Sequence, residues 1–239
     1  MSESQSEEEK RRKAPASRAG RPRLGADKGR ETILSNALQC FAKRGYDGVN
    51  LRDLARQAGV NIALANYHFG SKSALWQACL EQLQSRAADA VAEIGSMNGA
   101  TLAYPQRLVN AYAIFIRFNA DCPDYGLFIL QEMLMPGERQ DSVKTFLIDP
   151  FQDVMMPLLS EGVEHGFIRT NDVMLLFFTH SVAISHVVAA QGLIGQFFTP
   201  ENRRKETLKE LLTMMVRSAT GTCSQAFEDA IGTHSGLAN

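Results

Sequence analysis

The stretch from Asn50 to Lys72 constrains this chain more than any other: Asn-Leu-Arg-Asp-Leu-Ala-Arg-Gln-Ala-Gly-Val-Asn-Ile-Ala-Leu-Ala-Asn-Tyr-His-Phe-Gly-Ser-Lys. It reads as two short helices joined by a tight turn. Asn50 caps the first, and Asp53 sits near its positive end. Leu51, Leu54, Ala55 and Ala58 recur at helical spacing and give one apolar face. Gly59 ends that helix, because a residue without Cβ reaches the left-handed region cheaply. Val60 is predicted buried at the corner, and Asn61 caps a second helix over about Ile62 to His68. Helix, glycine turn and helix form the unit that sets its second helix in a DNA major groove.

The second helix carries the chemistry. Asn61, Asn66, Tyr67 and His68 are expected on its exposed side. Side-chain amides can bond adenine edges or phosphate oxygens, and Tyr67 and His68 can donate to phosphates. Lys72, where the chain leaves the unit, adds a point charge for the backbone. Charge distribution agrees. Residues 10 to 72 hold 14 Lys or Arg against 4 Asp or Glu, while the whole chain has a net charge of −1. A basic front and an acidic rear suit a protein that presents one end to phosphates.

Tyr67-His68-Phe69-Gly70-Ser71-Lys72, preceded by Asn50-Leu-Arg-Asp-Leu-Ala and Ala58-Gly59-Val60, resembles the DNA-binding domain of the tetracycline-repressor (TetR) family. The resemblance covers roughly Lys28 to Leu83. It implies an all-α homodimer: an N-terminal three-helix helix-turn-helix domain, then a larger helical domain for effector binding and dimerisation. It places Asn50, Arg52, Asn61, Ala63, Asn66, Tyr67, His68 and Lys72 at positions that face DNA. Ile62, Ala63, Leu64 and Ala65 depart from the Lys, Gly and Thr that many members carry there. That favours apolar contact of Ala63 and Leu64 with thymine methyls.

Around this unit the chain divides into three parts. Residues 1–25 are rich in Ser, Glu, Lys, Arg, Pro and Gly and are predicted to be a disordered basic arm. Within it, Arg21 belongs to a Gly-Arg-Pro core, flanked by Arg18 and Arg23, of the kind that lies in a narrow minor groove; a generic basic tail is the alternative. Residues 26–72 are the helix-turn-helix domain, with a first helix from Lys28 to Arg44 striped by Ile33, Leu34, Ala37, Leu38 and Phe41. Residues 73–239 are the rear domain. Ser71 caps a long helix through about Ile94, the physical link between the two. Further helices are predicted over Leu102–Asn119, Tyr125–Met135, Ser142–Glu164 (disturbed near Pro150 or Pro157), Asp172–Gly192 and Pro200–Ala219. A loose tail follows from Gly221.

The rear domain is rich in large, soft side chains. Tyr112, Phe115, Phe118, Phe128, Glu132, Met155, Phe177 and His180 are the candidate effector contacts; plain bundle core is the alternative for each. They suit an apolar or aromatic small molecule. Leu208, Leu211, Leu212, Met215 and Val216 stripe the final helix and are expected at a dimer contact, packing within one subunit being the alternative. A two-fold dimer would read a palindromic operator in double-stranded DNA.

Several classes are disfavoured. No nucleophile elbow, P-loop, dinucleotide fingerprint or His-Glu-x-x-His occurs, so no catalytic residue, cofactor or metal is predicted. His180 and His186 are six apart and fall on different helix faces, which speaks against a shared metal. Cys40, Cys79, Cys122 and Cys223 have no redox or zinc spacing, and the chain opens without an apolar leader; both point to the cytoplasm. The apolar run around Val173 to Leu193 is too interrupted to span a membrane. The function predicted is a ligand-released repressor. A constitutive or architectural DNA-binding protein and an activator are the alternatives.

Overall fold

A computed structural model of the chain describes residues 24–190, 203–221 and 225–233. Arg21, Arg23 and almost all of the predicted arm therefore lie outside the described residues. Within them the fold is all-α, with no strand. Three helices come first: α1 (Leu24–Arg44), α2 (Leu51–Gln57) and α3 (Ile62–Phe69). Then follow α4 (Lys72–Gly95), α5 (Tyr104–Asp121), α6 (Pro123–Met133), α7 (Glu138–Val143), α8 (Asp149–Glu164), α9 (Val173–Ala189), α10 (Arg203–Thr220) and α11 (Gln225–Thr233).

The caps sit where the local sequence dictates. Asn50, Asn61, Ser71 and Asp172 each accept a hydrogen bond from a first-turn backbone N–H. Gly59 has φ +67°, a left-handed turn that frees α3 to leave α2 at an angle. Val60 at that corner is half-buried.

Four predicted boundaries or packings need correction. Helix α1 begins at Leu24, about a turn before Lys28. Helix α6 begins at Pro123, since proline is tolerated in a first turn, where its missing N–H costs nothing. The disturbance predicted near Pro150 is a π-helical turn over Lys144–Ile148, in which the Asp149 N–H reaches back to the Lys144 carbonyl. The wider turn precedes a proline that could not have continued an α-helical ladder. Over 225–233 the predicted loose tail is a helix instead: Phe227, Ala230 and Ile231 are buried at i, i+3, i+4 spacing, and α11 packs on α5.

The stripe of α10 also faces inward. Leu208, Leu211, Leu212, Met215 and Val216 are all buried within their own chain, with α10 packed on α5. Helix α5 is thus the axis of the rear domain, covered by α4, α8, α9, α10 and α11. Its phenylalanines, Phe115 and Phe118, meet Phe151 of α8 edge-on and tilted, with Tyr125 of α6 against both Phe118 and Phe151.

Candidate functional site

Helix α3 buries Ala65 and Phe69 and leaves Asn61, Ala63, Asn66 and Tyr67 exposed. The inward pair is four apart, so one narrow edge anchors the helix and the rest is free. Tyr67 is 80% exposed, the most exposed large hydrophobic residue described. A tyrosine left in water this way gains nothing for the fold; its ring and hydroxyl are available to a partner. Asn61 spends its oxygen on the Ala63 N–H at 2.9 Å, which leaves its amide hydrogens to donate outward. Asn50 does the same on Arg52 at 2.8 Å. Arg52 is exposed and has no anionic partner among the described residues. Two predicted contacts are less free. Leu64 is half-buried, and a Cβ at Gly29 would lie 3.2 Å from its Cδ2, so it rests against α1. His68, expected to be exposed, is half-buried, with a buried Nε2 that has no partner among the described residues.

Lys72 is not turned outward. Its ammonium lies 4.2 Å from the centre of the Tyr46 ring. The Arg139 guanidinium, from α7, lies 4.1 Å from the same ring. Arg139 also donates to Glu132 of α6 at 3.0 Å, and Glu132 is buried. Beside them Phe128 of α6 stacks on Trp76 of α4, centroids 5.5 Å apart, and Tyr46 meets Trp76 edge-on at 6.5 Å. Gln131 of α6 reaches the Ala42 carbonyl, and a Cβ at Gly45 would lie 2.9 Å from its Oε1. Gly45 has φ +68°, and that left-handed backbone is what calls for glycine at this corner. One face of α6 thereby holds the three-helix domain.

The other face of α6 lines a cavity. Tyr125, Gly126, Ile129, Leu130 and Met133 face Phe177, Phe178, Ser181, Val182, Ser185 and His186 of α9. Phe115, Leu147, Ile148 and Phe151 close it, and its volume is about 80 Å³. Gly126 is required here by contact: a Cβ would stand 2.4 Å from that of Ser185. A second cavity of about 10 Å³ adjoins it, lined by Tyr112, Met155 and His180 and sharing Phe115, Phe177 and Ser181. The hydrogen bonds fix the His180 tautomer. Ser218 donates to the Met215 carbonyl, so it accepts from His180 Nε2 at 2.9 Å; Nδ1 then accepts from the Tyr112 hydroxyl at 2.6 Å. Burial disfavours the imidazolium and pulls the His180 pKa down to about 4. Burial also pushes the Tyr112 hydroxyl upward, so both stay neutral.

Residues 33–79 match the family model described as bacterial regulatory proteins, tetR family. The chain carries a TetR-family DNA-binding domain. The HTH-type transcriptional repressor NicS of Pseudomonas putida is 23% identical over 192 residues, which is 79% of this chain and 82% of NicS. The repressor AcnR of Corynebacterium efficiens is 36% identical over 66 residues, 28% of this chain and 35% of AcnR. The match thus spans most of NicS but only about a third of AcnR. Among solved structures, HlyIIR, a hemolysin II transcriptional regulator, aligns with TM-score 0.55 at 18% identity, over 82% of this chain and 98% of its own. The ketosteroid transcriptional regulator KstR2 of Mycobacterium tuberculosis gives 0.59 at 18%, over 80% and 94%. At these identities the structural likeness establishes a shared fold. The domain and its relatives place the chain among DNA-binding regulators of transcription.

The TetR-type helix α3 and the rear cavity treat the sequence-predicted residues differently. Phe115 and Phe177 line the main cavity, and Tyr112, Met155 and His180 the smaller one. Phe118, Phe128 and Glu132 line neither: Phe118 packs against Tyr125 and Phe151, while Phe128 and Glu132 belong to the junction with the TetR domain. Sequence reasoning missed Gly126, Ser181 and Ser185. Two signals could have found them. A glycine inside an apolar helix marks a close approach, and serines four apart share one face of an apolar helix.

Proposed function

We propose that the protein is a repressor that binds a palindromic operator as a homodimer and is released by a small-molecule effector. The observation that carries the DNA-binding part is the exposed side of α3, where Asn61, Ala63, Asn66 and Tyr67 project around an inward Ala65–Phe69 edge. Arg52 and Asn50, with Arg21 and Arg23 of the arm, would add phosphate and minor-groove contacts. Helix α6 supports effector control. A molecule entering the cavity presses on Gly126, Ile129 and Met133, and the same helix carries Phe128, Gln131 and Glu132 against the DNA-binding domain. Movement of α6 would change how Arg139 and Lys72 share Tyr46 and so the aim of α3.

The dimer contact is proposed on the outer sides of α9 and α10. Leu175, Val182 and Met214 are exposed there, at 63%, 42% and 55%. They are the apolar groups left over once the α10 stripe has turned inward. A cytoplasmic protein suits this role, and no helix among the described residues is long and apolar enough to cross a membrane.

The test is reciprocity. If effector and operator are coupled, each weakens the other by the same factor. An operator can be selected from a random duplex pool, and an effector found by thermal shift. Equal effector affinity with and without operator would refute coupling and leave a constitutive binder. Sedimentation of a Leu175→Glu, Met214→Glu variant tests the pairing: monomers support it, and an unchanged dimer moves the interface elsewhere.

A further inference from the structure

The hydrogen-bonding groups of the main cavity can be accounted for one by one, and what remains unspent defines a ligand. Among the described residues no Lys, Arg, Asp or Glu lines it. A ligand cation would therefore be buried without a counter-charge, which is strongly disfavoured. The Tyr125 hydroxyl is committed to the Leu147 carbonyl. Ser185 Oγ donates to Asn119 Oδ1 at 2.8 Å. His186 Nδ1 lies 2.9 Å from the Val182 carbonyl, so that nitrogen carries the hydrogen and Nε2 is left as an acceptor. Ser181 has no hydrogen-bond partner among the described residues. The open capacity is thus one hydroxyl that donates and one imidazole nitrogen that accepts, both on α9.

Size narrows the class. The cavity measures about 80 Å³. A water-sized body needs roughly 10–15 Å³ of such space, so the room suits about half a dozen non-hydrogen atoms, the scale of one ring.

We infer that the cavity takes an uncharged, single-ring or comparably small apolar molecule bearing one hydroxyl, phenolic for a ring, which pairs with α9 by donating to His186 Nε2 or by accepting from Ser181. This rests on the reading of the cavity as the effector site and adds what the site selects. Ser181 and His186 are its specificity-determining residues.

Ligand-observed NMR on the full-length chain tests it with three single-ring probes of one shape: phenol, toluene and N-methylpyridinium. The phenol binds tightest. The hydrocarbon, which leaves both polar groups unpaired, binds about tenfold more weakly, and the cation gives no signal. In a Ser181→Ala, His186→Phe double variant the phenol falls to the level of the hydrocarbon, whose retained binding shows that the cavity is intact. Cation binding equal to the phenol, or a phenol preference that survives in the double variant, overturns the inference and leaves the effector site standing. If none of the three binds, the effector reading of the cavity fails, and this inference with it.

Discussion

Helices α3 and α6 are both short, and they do opposite things with their side chains. Helix α3 anchors itself with Ala65 and Phe69 and leaves its remaining surface to solvent. Helix α6 has packed surroundings on two sides, Trp76 and Tyr46 with the DNA-binding domain on one and the α9 cavity on the other. A helix that reads a partner needs unspent groups. A helix that transmits between two sites needs contacts it cannot lose without loosening both.

That contrast can be broken by substitution. Phe128→Ala removes a ring that is 1% exposed and stacked on Trp76. It should cost about 3–5 kcal/mol of stability. Tyr67→Ala should stay within about 0.5 kcal/mol. Denaturant melts of the two variants decide it, and similar losses would mean that α3 is as built-in as α6.

The next largest effect is a pH dependence. His180 has a folded pKa near 4 against 6.5 for the unfolded chain, so the unfolded state binds its proton first. The stability this neutral histidine contributes is present above pH 6.5 and is lost as the pH falls through 4. The loss approaches about 3 kcal/mol, at roughly 1.4 kcal/mol per pKa unit. His180→Gln should flatten stability between those values, and an unchanged pH profile would show that another group titrates there.

Arg139→Ala strips the partner from the buried Glu132 carboxylate and should cost about 1–3 kcal/mol. Adding Glu132→Gln to it should recover part of that loss. Additive losses in the double variant would mean that the pair does not act as a unit. Smallest of all, Arg56→Ala removes an exposed ion pair to Asp53 and should cost no more than about 1 kcal/mol.

The two helices also differ in how far the sequence foretold them. Helix α3 was legible because its signals are local: Asn61 caps it, Gly59 sets it off, and the exposed and buried positions follow from helical period. The same holds for the caps at Asn50 and Ser71. The rear site was legible only in kind. Phe128 and Glu132 have the composition of a pocket, but whether they meet the cavity or the junction depends on the rotation of α6 between two partners far away in sequence. Gly126 opposite Ser185, and Arg139 over Tyr46, are appositions with no local signature. Helix α11 was legible in principle from Phe227, Ala230 and Ile231, but a short stripe after Gly221 gives no hint of the α5 surface that buries it.

The account stands or falls on α3 as a probe for duplex DNA. Binding of the full-length protein to a selected operator should be compared with that of Asn66→Ala, Tyr67→Ala, with folding checked by melting. The account predicts an unshifted melt and an affinity lower by roughly a hundredfold, two contacts at about 1–3 kcal/mol each. An intact melt with undiminished affinity would contradict it.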